Sequence, residues 1–257
     1  MAEDEAIFLE SRQRPSPTIR FYTWLVPTVS IGYFQQVGRD IDLAACLGRS
    51  VDLVRRPTGG KAVLHEHDWT YAVAGRHGQN GFPDDILGTY RIISRCLIAG
   101  LNELGLEAGM AEEGRTAAET PAGASCFSAP SRYELLVKGR KICGSAQVRS
   151  RGSFLQHGSL LLDFDPLRTG EVLLSGAGGR DRQIDHLKRS VTSLRQEGVT
   201  PPDGEAICRI MKKAFETELD IALEEGALTP REEALKNELL HEKYSSDQWN
   251  LKGGIER

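Results

Sequence analysis

The stretch from residue 123 to residue 163 narrows the possible folds more than any other. Three runs rich in β-branched and aromatic residues, 133–137, 141–149 and 153–163, are separated only by the turn signals Gly139-Arg140 and Arg151-Gly152. That pattern predicts a hairpin or meander. Just ahead of it Cys126 sits in a loop of Gly, Ser and Pro, and Lys141 opens the second run. A sheet of this kind can bring a thiol and an ammonium together across a cleft. The thiolate is the reactive form of cysteine, and a nearby lysine charge lowers a thiol pKa from about 8.5 toward neutrality. On chemistry alone two readings stand: a nucleophile with its activating cation, or a small buried hydrophobe and a solvated lysine.

Upstream, residues 1–12 read as a helix without an N-cap, ended by Pro15 and Pro17. Residues 18–24 and 28–34 are strand candidates. Asp40 or Asp42 caps a short helix through Cys46, which Gly48 would close. Residues 51–56 read as another strand and run into Pro57-Thr58-Gly59-Gly60-Lys61, followed by strand candidates at 62–64 and 69–74. Residues 84–104 make the longest helix, with Ile86, Tyr90, Ile93, Leu97, Leu101 and Leu104 as its apolar stripe and Gly105 as its C-cap. A mobile loop is expected over 108–123. Beyond residue 163 come a short helix at 166–174, a glycine-rich flexible break at 175–179, and helices near 202–219 and 229–243. Strands dominate the first two-thirds and helices the last third, so the expected class is α+β.

The turn after residue 56 carries its own chemistry. Its glycines let backbone amides approach a ligand, and paired arginines bind carboxylates or phosphates. An ordinary hairpin with an exposed basic tip fits equally well. It is not a Walker loop, because the GxxxxGK[ST] spacing is absent. His65, His67 and Asp68 cluster, but alternation along a strand would send them to opposite sides, so no metal site is expected. His65 is read as bonding to the loop and His67 as solvated. His157 faces either cleft or core. Ser-His-Asp catalysis lacks a supporting elbow motif.

The chain has 257 residues, a formal net charge of -4 and 40% hydrophobic residues, which suits one large domain over 1–257 with a helical portion at 202–257. No basic excess points to nucleic acid. Five scattered cysteines without CxxC pairs indicate neither a disulfide framework nor zinc, and fit a reducing compartment. No apolar run is long enough for a bilayer, and no secretory signal opens the sequence. A soluble cytoplasmic protein is expected, without membrane or nucleic-acid partners.

Taken together, two motifs are more specific than either alone. RRPTGGKAVLH resembles the R-R-x-[ST]-G-G signature of the lipoate-protein ligase and octanoyltransferase superfamily, and GRKICGSAQ resembles its K-[IV]-x-G-x-[AS]-Q lysine motif. Matching elements reach nearly end to end: M-A-x-D-E-A at 1–6, I-R-F-Y-x-W at 19–24 and K-Y-x-S-D-x-W-N at 243–250. Within that superfamily the likeness is to the octanoyl-[acyl-carrier-protein]:protein N-octanoyltransferases, whose C-F-x-A-P-S-x-Y-E-L stands here at 126–135.

The resemblance implies the mixed α/β catalytic fold of the biotin and lipoate protein ligases. It also implies transfer of octanoyl from the phosphopantetheine thiol of acyl carrier protein to a lysine of glycine-cleavage H protein or a lipoyl domain. Carried over, Cys126 is the acyl-accepting nucleophile and Lys141 its partner, while Arg55, Arg56, Gly59 and Gly60 line the acyl pocket. His65 and His157 join them as substrate-side candidates. Amides near Gly144 and Ser145 would serve as oxyanion donors. No ATP, metal or other cofactor is required.

The alternatives are an ATP-dependent lipoate ligase, an octanoyl amidotransferase between lipoyl domains, and an inactive carrier-binding module. The ligases favour a third glycine where Lys61 stands, and the amidotransferases place their cysteine nearer the tyrosine. Cys143, two residues along a strand from Lys141, would share its face and rival Cys126. The family also has an edge strand before the first helix, so an upstream start is expected.

Overall fold

Helix α1 (Ala2–Glu10) starts without a side-chain cap, as its sequence predicts. A 3-10 turn, Ser11–Gln13, follows it, and Pro15 and Pro17 stop any continuation. The structure, a computed structural model, describes residues 1–111, 134–173 and 179–253. Strands β1 (Thr18–Tyr22) and β2 (Thr28–Ile31) lead to short helices α2 (Val37–Asp40) and α3 (Leu43–Gly48). Asp42 is the cap of α3, accepting from the Ala45 amide at 3.0 Å. Asp40 instead ends α2, and the left-handed residue beyond α3 is Ser50 rather than Gly48.

Strands β3 (Asp52–Arg55), β4 (Val63–His65) and β5 (Asp68–Arg76) follow, then helix α4 (Ile86–Glu103). Asp85 caps α4 by accepting from the Gly88 amide. Gly105 closes it at φ +83°, with its amide on the Asn102 carbonyl and the Leu106 amide on Leu101. Those two bonds satisfy carbonyls that the helix end leaves open. Where a loop was expected, Ala108–Met110 form an edge strand, β6, paired with β7 (Leu135–Val137).

Strands β8 (Arg140–Ser150) and β9 (Ser153–Leu161) complete the meander. Arg151-Gly152 makes its second turn. The first is Lys138-Gly139, one residue earlier than the sequence suggests, because these two take the paired positive φ values that a two-residue hairpin needs. Helices α5 (Pro166–Val172), α6 (Gly179–Ser190), α7 (Gly204–Leu219) and α8 (Pro230–Leu239) come next. A π turn, Leu240–Tyr244, and α9 (Asp247–Asn250) follow. A capping box at Thr229 and Glu232 starts α8. Residues 174–178, which hold the end of the expected helix and all but the last residue of the expected break at 175–179, lie outside the described residues, and Gly179 already belongs to α6.

The strands form an antiparallel sheet in the order β1-β5-β9-β8-β7-β6 and a smaller mixed sheet, β3-β2-β4. Alternation along the large sheet sorts its two faces. Trp69, Tyr71 and Val73 of β5 and Phe154 and Leu160 of β9 join Ile93, Leu97 and Leu101 of α4 and Met211 and Phe215 of α7 in the main core. Burying each such large side chain contributes about 1.5–3 kcal/mol. The opposite face carries Ala72, Ala74 and Leu155 against Ile7 and Phe8 of α1. Farther along that face lie Thr70, His157 and Ser159, where the small sheet closes over it. No helix among the described residues is long and apolar enough to cross a membrane.

Candidate functional site

A cavity of about 240 Å³ opens between the two sheets. Arg56, Gly60, His65, Lys141, Gly144, Ser145 and His157 line it, together with Trp24, Ser30, Lys61, Val63, Glu134 and Ala146. Arg55 and Gly59 do not. Cys126 lies outside the described residues.

The two adjacent arginines end on different tasks. Arg55 is fully buried at the end of β3 and turns away from the cavity. Its guanidinium donates to the carbonyls of Gly32, Tyr33 and Gln35 at 2.8–3.0 Å and to those of Trp249 and Asn250 at 2.8 and 3.3 Å. The expectation that it lines the acyl pocket is therefore corrected: it ties the chain near residue 250 to the base of the loop. Arg56 points the other way. It donates to the Ser30 carbonyl and hydroxyl (2.8 and 2.9 Å) and to the carbonyls of Gly59 and Lys61 (2.9 and 3.0 Å). The glycine turn is thus folded around one guanidinium. Gly32 beneath it cannot carry a side chain, since a Cβ there would lie 1.9 Å from the Gly60 carbonyl oxygen.

Two histidines extend this framework. Ser30 Oγ accepts from Arg56 and lies 2.7 Å from His65 Nε2, whose Nδ1 in turn lies 2.6 Å from Asp68. Asp68 also accepts from Ser159 Oγ, and Trp24 stacks on the imidazole at 4.2 Å. His65 and Asp68, expected on opposite sides, face each other because a turn rather than a continuous strand separates them. His65 meets Ser30 of β2 rather than the loop it was expected to reach. His67 is exposed, as expected. The resulting Ser-His-Asp row is buried framework, with Ser30 at 0% exposure.

His157 Nε2 meets Thr58 Oγ1 at 2.7 Å, and its Nδ1 lies 3.6 Å from Asp4, an ion-pair distance rather than a hydrogen bond. Burial pushes the imidazole below its ordinary 6.5, against the opposing pull of Asp4. Burial also works to raise the Asp4 carboxyl, but His157, the N-terminal charge and Arg20 outweigh it and hold that carboxyl well below the usual range. No cluster of metal-ligating side chains occurs among the described residues.

Strand β8 supplies the other wall. Leu136 pairs with Lys141 and Leu135 with Cys143, leaving Ile142 as the extra residue of a β-bulge. Ile142 and Cys143 both enter the main core, so Lys141 turns toward the cavity while Cys143 does not. The expectation that these two share a face is overturned by that one residue. Burial also drives the Cys143 thiol up to about 12, where almost no thiolate exists at neutral pH. Lys141, itself buried, donates to Glu134, which is equally enclosed.

Past the bulge, the Ser145 hydroxyl lies 2.7 Å from Tyr71 Oη on the core side, so its backbone is what borders the cavity. Counting back from the Arg151-Gly152 turn, Gly144 falls at a hydrogen-bonded pair with Ser159 and Ser145 at a non-bonded pair with Gly158. The Ser145 peptide groups therefore turn away from β9; its carbonyl accepts from Tyr90 Oη at 3.5 Å. Of the two expected amide donors, Gly144 is committed to the ladder.

Sequence reasoning missed Ser30, Thr58, Asp68 and Glu134 as members of this site. Glu134 stands inside the cysteine motif quoted above, which was the available signal. Nothing local marks Ser30, whose partners Arg56 and His65 lie 26 and 35 residues away.

Residues 1–216 match the family described as the lipoyl protein ligase A/B catalytic domain. The octanoyltransferase LipM of Kyrpidia tusciae is 42% identical over 260 residues, covering 98% of this chain and 93% of that protein. The octanoyltransferase LipM of Geobacillus kaustophilus is 41% identical over 262 residues, with the same coverage. Among solved structures, the bi-partite lipoate protein ligase of Thermoplasma acidophilum, described with its E2 lipoyl domain, superposes with a TM-score of 0.83. It is 26% identical and covers 100% of this chain and 92% of that one.

Proposed function

The chain belongs to the lipoyl protein ligase A/B catalytic-domain family, and we propose that it transfers its acyl group by way of a cysteine thioester. It is an octanoyltransferase of lipoate biosynthesis, as its relatives are. The donor is octanoyl-acyl carrier protein, and the acceptor is a lysine of a lipoyl domain or of glycine-cleavage H protein, in the cytoplasm. A lipoyl-domain acceptor fits the fold neighbour that is described with its E2 lipoyl domain.

The observation that carries this reading is the bulge that turns Lys141 into a mostly apolar cavity. Cys126 stands eight residues before Glu134, the ion-pair partner of that lysine. The thiolate attacks the carrier thioester carbon, the octanoyl–sulfur bond to the carrier breaks, and the new thioester retains the activation of the old one. The Lys141 ammonium stabilises the thiolate and then polarises the thioester carbonyl, with the Ser145 amide as a second donor. The Arg56 loop, Gly60, His65 and His157 shape the cavity. Arg55 and Gly59 support the loop from behind.

Lys61 lines the cavity where the ATP-using ligases favour a third glycine, which speaks against a mononucleotide there. Intact-protein mass spectrometry after mixing with octanoyl-carrier protein tests the reading. Wild type and Cys143→Ser should gain an octanoyl mass, and Cys126→Ser should not. Loss in Cys143→Ser alone would move the nucleophile. No adduct on any variant, with acylation appearing only when ATP and free octanoate are added, would replace the transferase by a ligase.

A further inference from the structure

An acceptor lysine entering this cavity meets the wrong charges. Arg56, Lys61 and Lys141 all line it, and an incoming ε-ammonium adds a fourth positive group. To attack a carbonyl it must also lose a proton, because the ammonium has no lone pair. Among the described lining residues, Glu134 is the only carboxylate. Its Oε1 accepts from Lys141, while its Oε2 is buried and has no hydrogen-bond partner among the described residues. A buried carboxylate oxygen left this way costs free energy until something polar reaches it. The two imidazoles are turned elsewhere: His65 holds Ser30 and Asp68, and His157 holds Thr58 and faces Asp4.

We propose that Glu134 receives the acceptor lysine on Oε2 and takes one proton from its ammonium, acting as the base of the second half-reaction. This rests on the thioester reading above. The neutral amine nitrogen then bonds to the thioester carbon, and the carbon–sulfur bond breaks as the nitrogen's second proton passes to the departing cysteine sulfur. The products are the amide, a cysteine thiol and protonated Glu134, which releases its proton to water. In the next cycle the thiol proton leaves with the carrier's phosphopantetheine thiol, so one proton is released per turnover. Lys141 polarises the carbonyl. Like charges and desolvation around the acceptor favour the neutral amine, which assists the same transfer.

Quenched-flow mass spectrometry on wild type, Glu134→Gln and Glu134→Asp separates the two halves. Acyl-enzyme formation from octanoyl-carrier protein proves each variant folded and charged. For Glu134→Gln, discharge of the acyl-enzyme to a lipoyl domain should slow by about 10²–10³-fold, far more than formation does. Glu134→Asp should recover part of the rate, and the deficit should shrink as pH rises and solvent deprotonates the acceptor. Hydroxylamine, already neutral at pH 7, should discharge both acyl-enzymes at similar rates. Equal slowing with hydroxylamine and with the lipoyl domain would overturn the inference and leave Glu134 as a support for Lys141. Wild-type discharge to the lipoyl domain matched by Glu134→Gln would overturn it as well. Wild type that transfers octanoyl without ever carrying it would sink the thioester reading and this inference together.

Discussion

The two walls of the cavity use buried charge in different ways. On one side, Arg56, Ser30 and His65 of the small sheet are tied to Asp68 of β5, and Thr58 to His157 of β9, in a row of hydrogen bonds that holds the glycine turn in shape and leaves Asp68 Oδ1 and His157 Nδ1 without a hydrogen bond among the described residues. On the large-sheet side, a bulge presents Lys141 with Glu134, whose second oxygen finds no partner among the described residues. A wall cross-tied by many hydrogen bonds gives a fixed surface. The Glu134 oxygen differs from those two atoms in belonging to the one carboxylate among the described residues that line the cavity.

The sharpest way to break this contrast is Lys141→Met. It strands a buried carboxylate, so it should cost about 3–5 kcal/mol of stability and remove nearly all transfer. Chemical denaturation and single-turnover assays would register the two losses. Pairing it with Glu134→Leu should restore most of the stability and none of the activity, because a buried ion pair is replaceable by packed apolar groups whereas its chemistry is not. Recovery of activity in the double variant would erase the distinction between the walls.

Arg55→Met probes a purely supporting charge. Five carbonyl contacts lose their donor, and a loss of about 2–4 kcal/mol is expected. The kcat per folded molecule should stay near that of wild type, since the side chain does not border the cavity. A collapse of kcat in protein shown to be folded would place Arg55 in the chemistry after all.

The smallest effect concerns pH. His157 has a depressed folded value, so the unfolded chain binds the proton more readily, and stability is fully present above the ordinary 6.5 and drains away as pH falls below it. Asp4, also depressed, adds its loss only in strong acid, below its ordinary 3.8. The wild-type Tm should therefore fall on acidification through the histidine range, and His157→Gln should flatten that slope. An unchanged slope in the variant would assign the effect elsewhere.

Local rules carried the sequence reading well where the answer was local. Gly105 closes α4, Pro15 and Pro17 stop α1, and the meander of β7, β8 and β9 follows its turn residues. The lipoate-ligase fold was legible through two motifs. What stayed hidden depended on pairing across the sheet or on one extra residue. Lys141 and Cys143 share a face by simple alternation, and only the bulge at Ile142 separates them. Arg55 and Arg56 are neighbours at a strand end, so alternation already implied opposite directions; reading both into one pocket overlooked it. Thr58 and His157 meet across 99 residues, a separation no window reveals. Cys126 lies outside the described residues, and its role rests on the motif that holds it.

The Arg55 clamp also has a timetable. Its last partners, Trp249 and Asn250, follow it by 194 and 195 residues. At about 5–20 residues per second, a ribosome needs roughly 10–40 s to make that stretch. During that interval the guanidinium can reach only the carbonyls of residues 32–35, made some seconds earlier. The base of the glycine turn is thus finished only after both sheets have been made. A nascent chain carries strand β8 well before it carries a completed cavity.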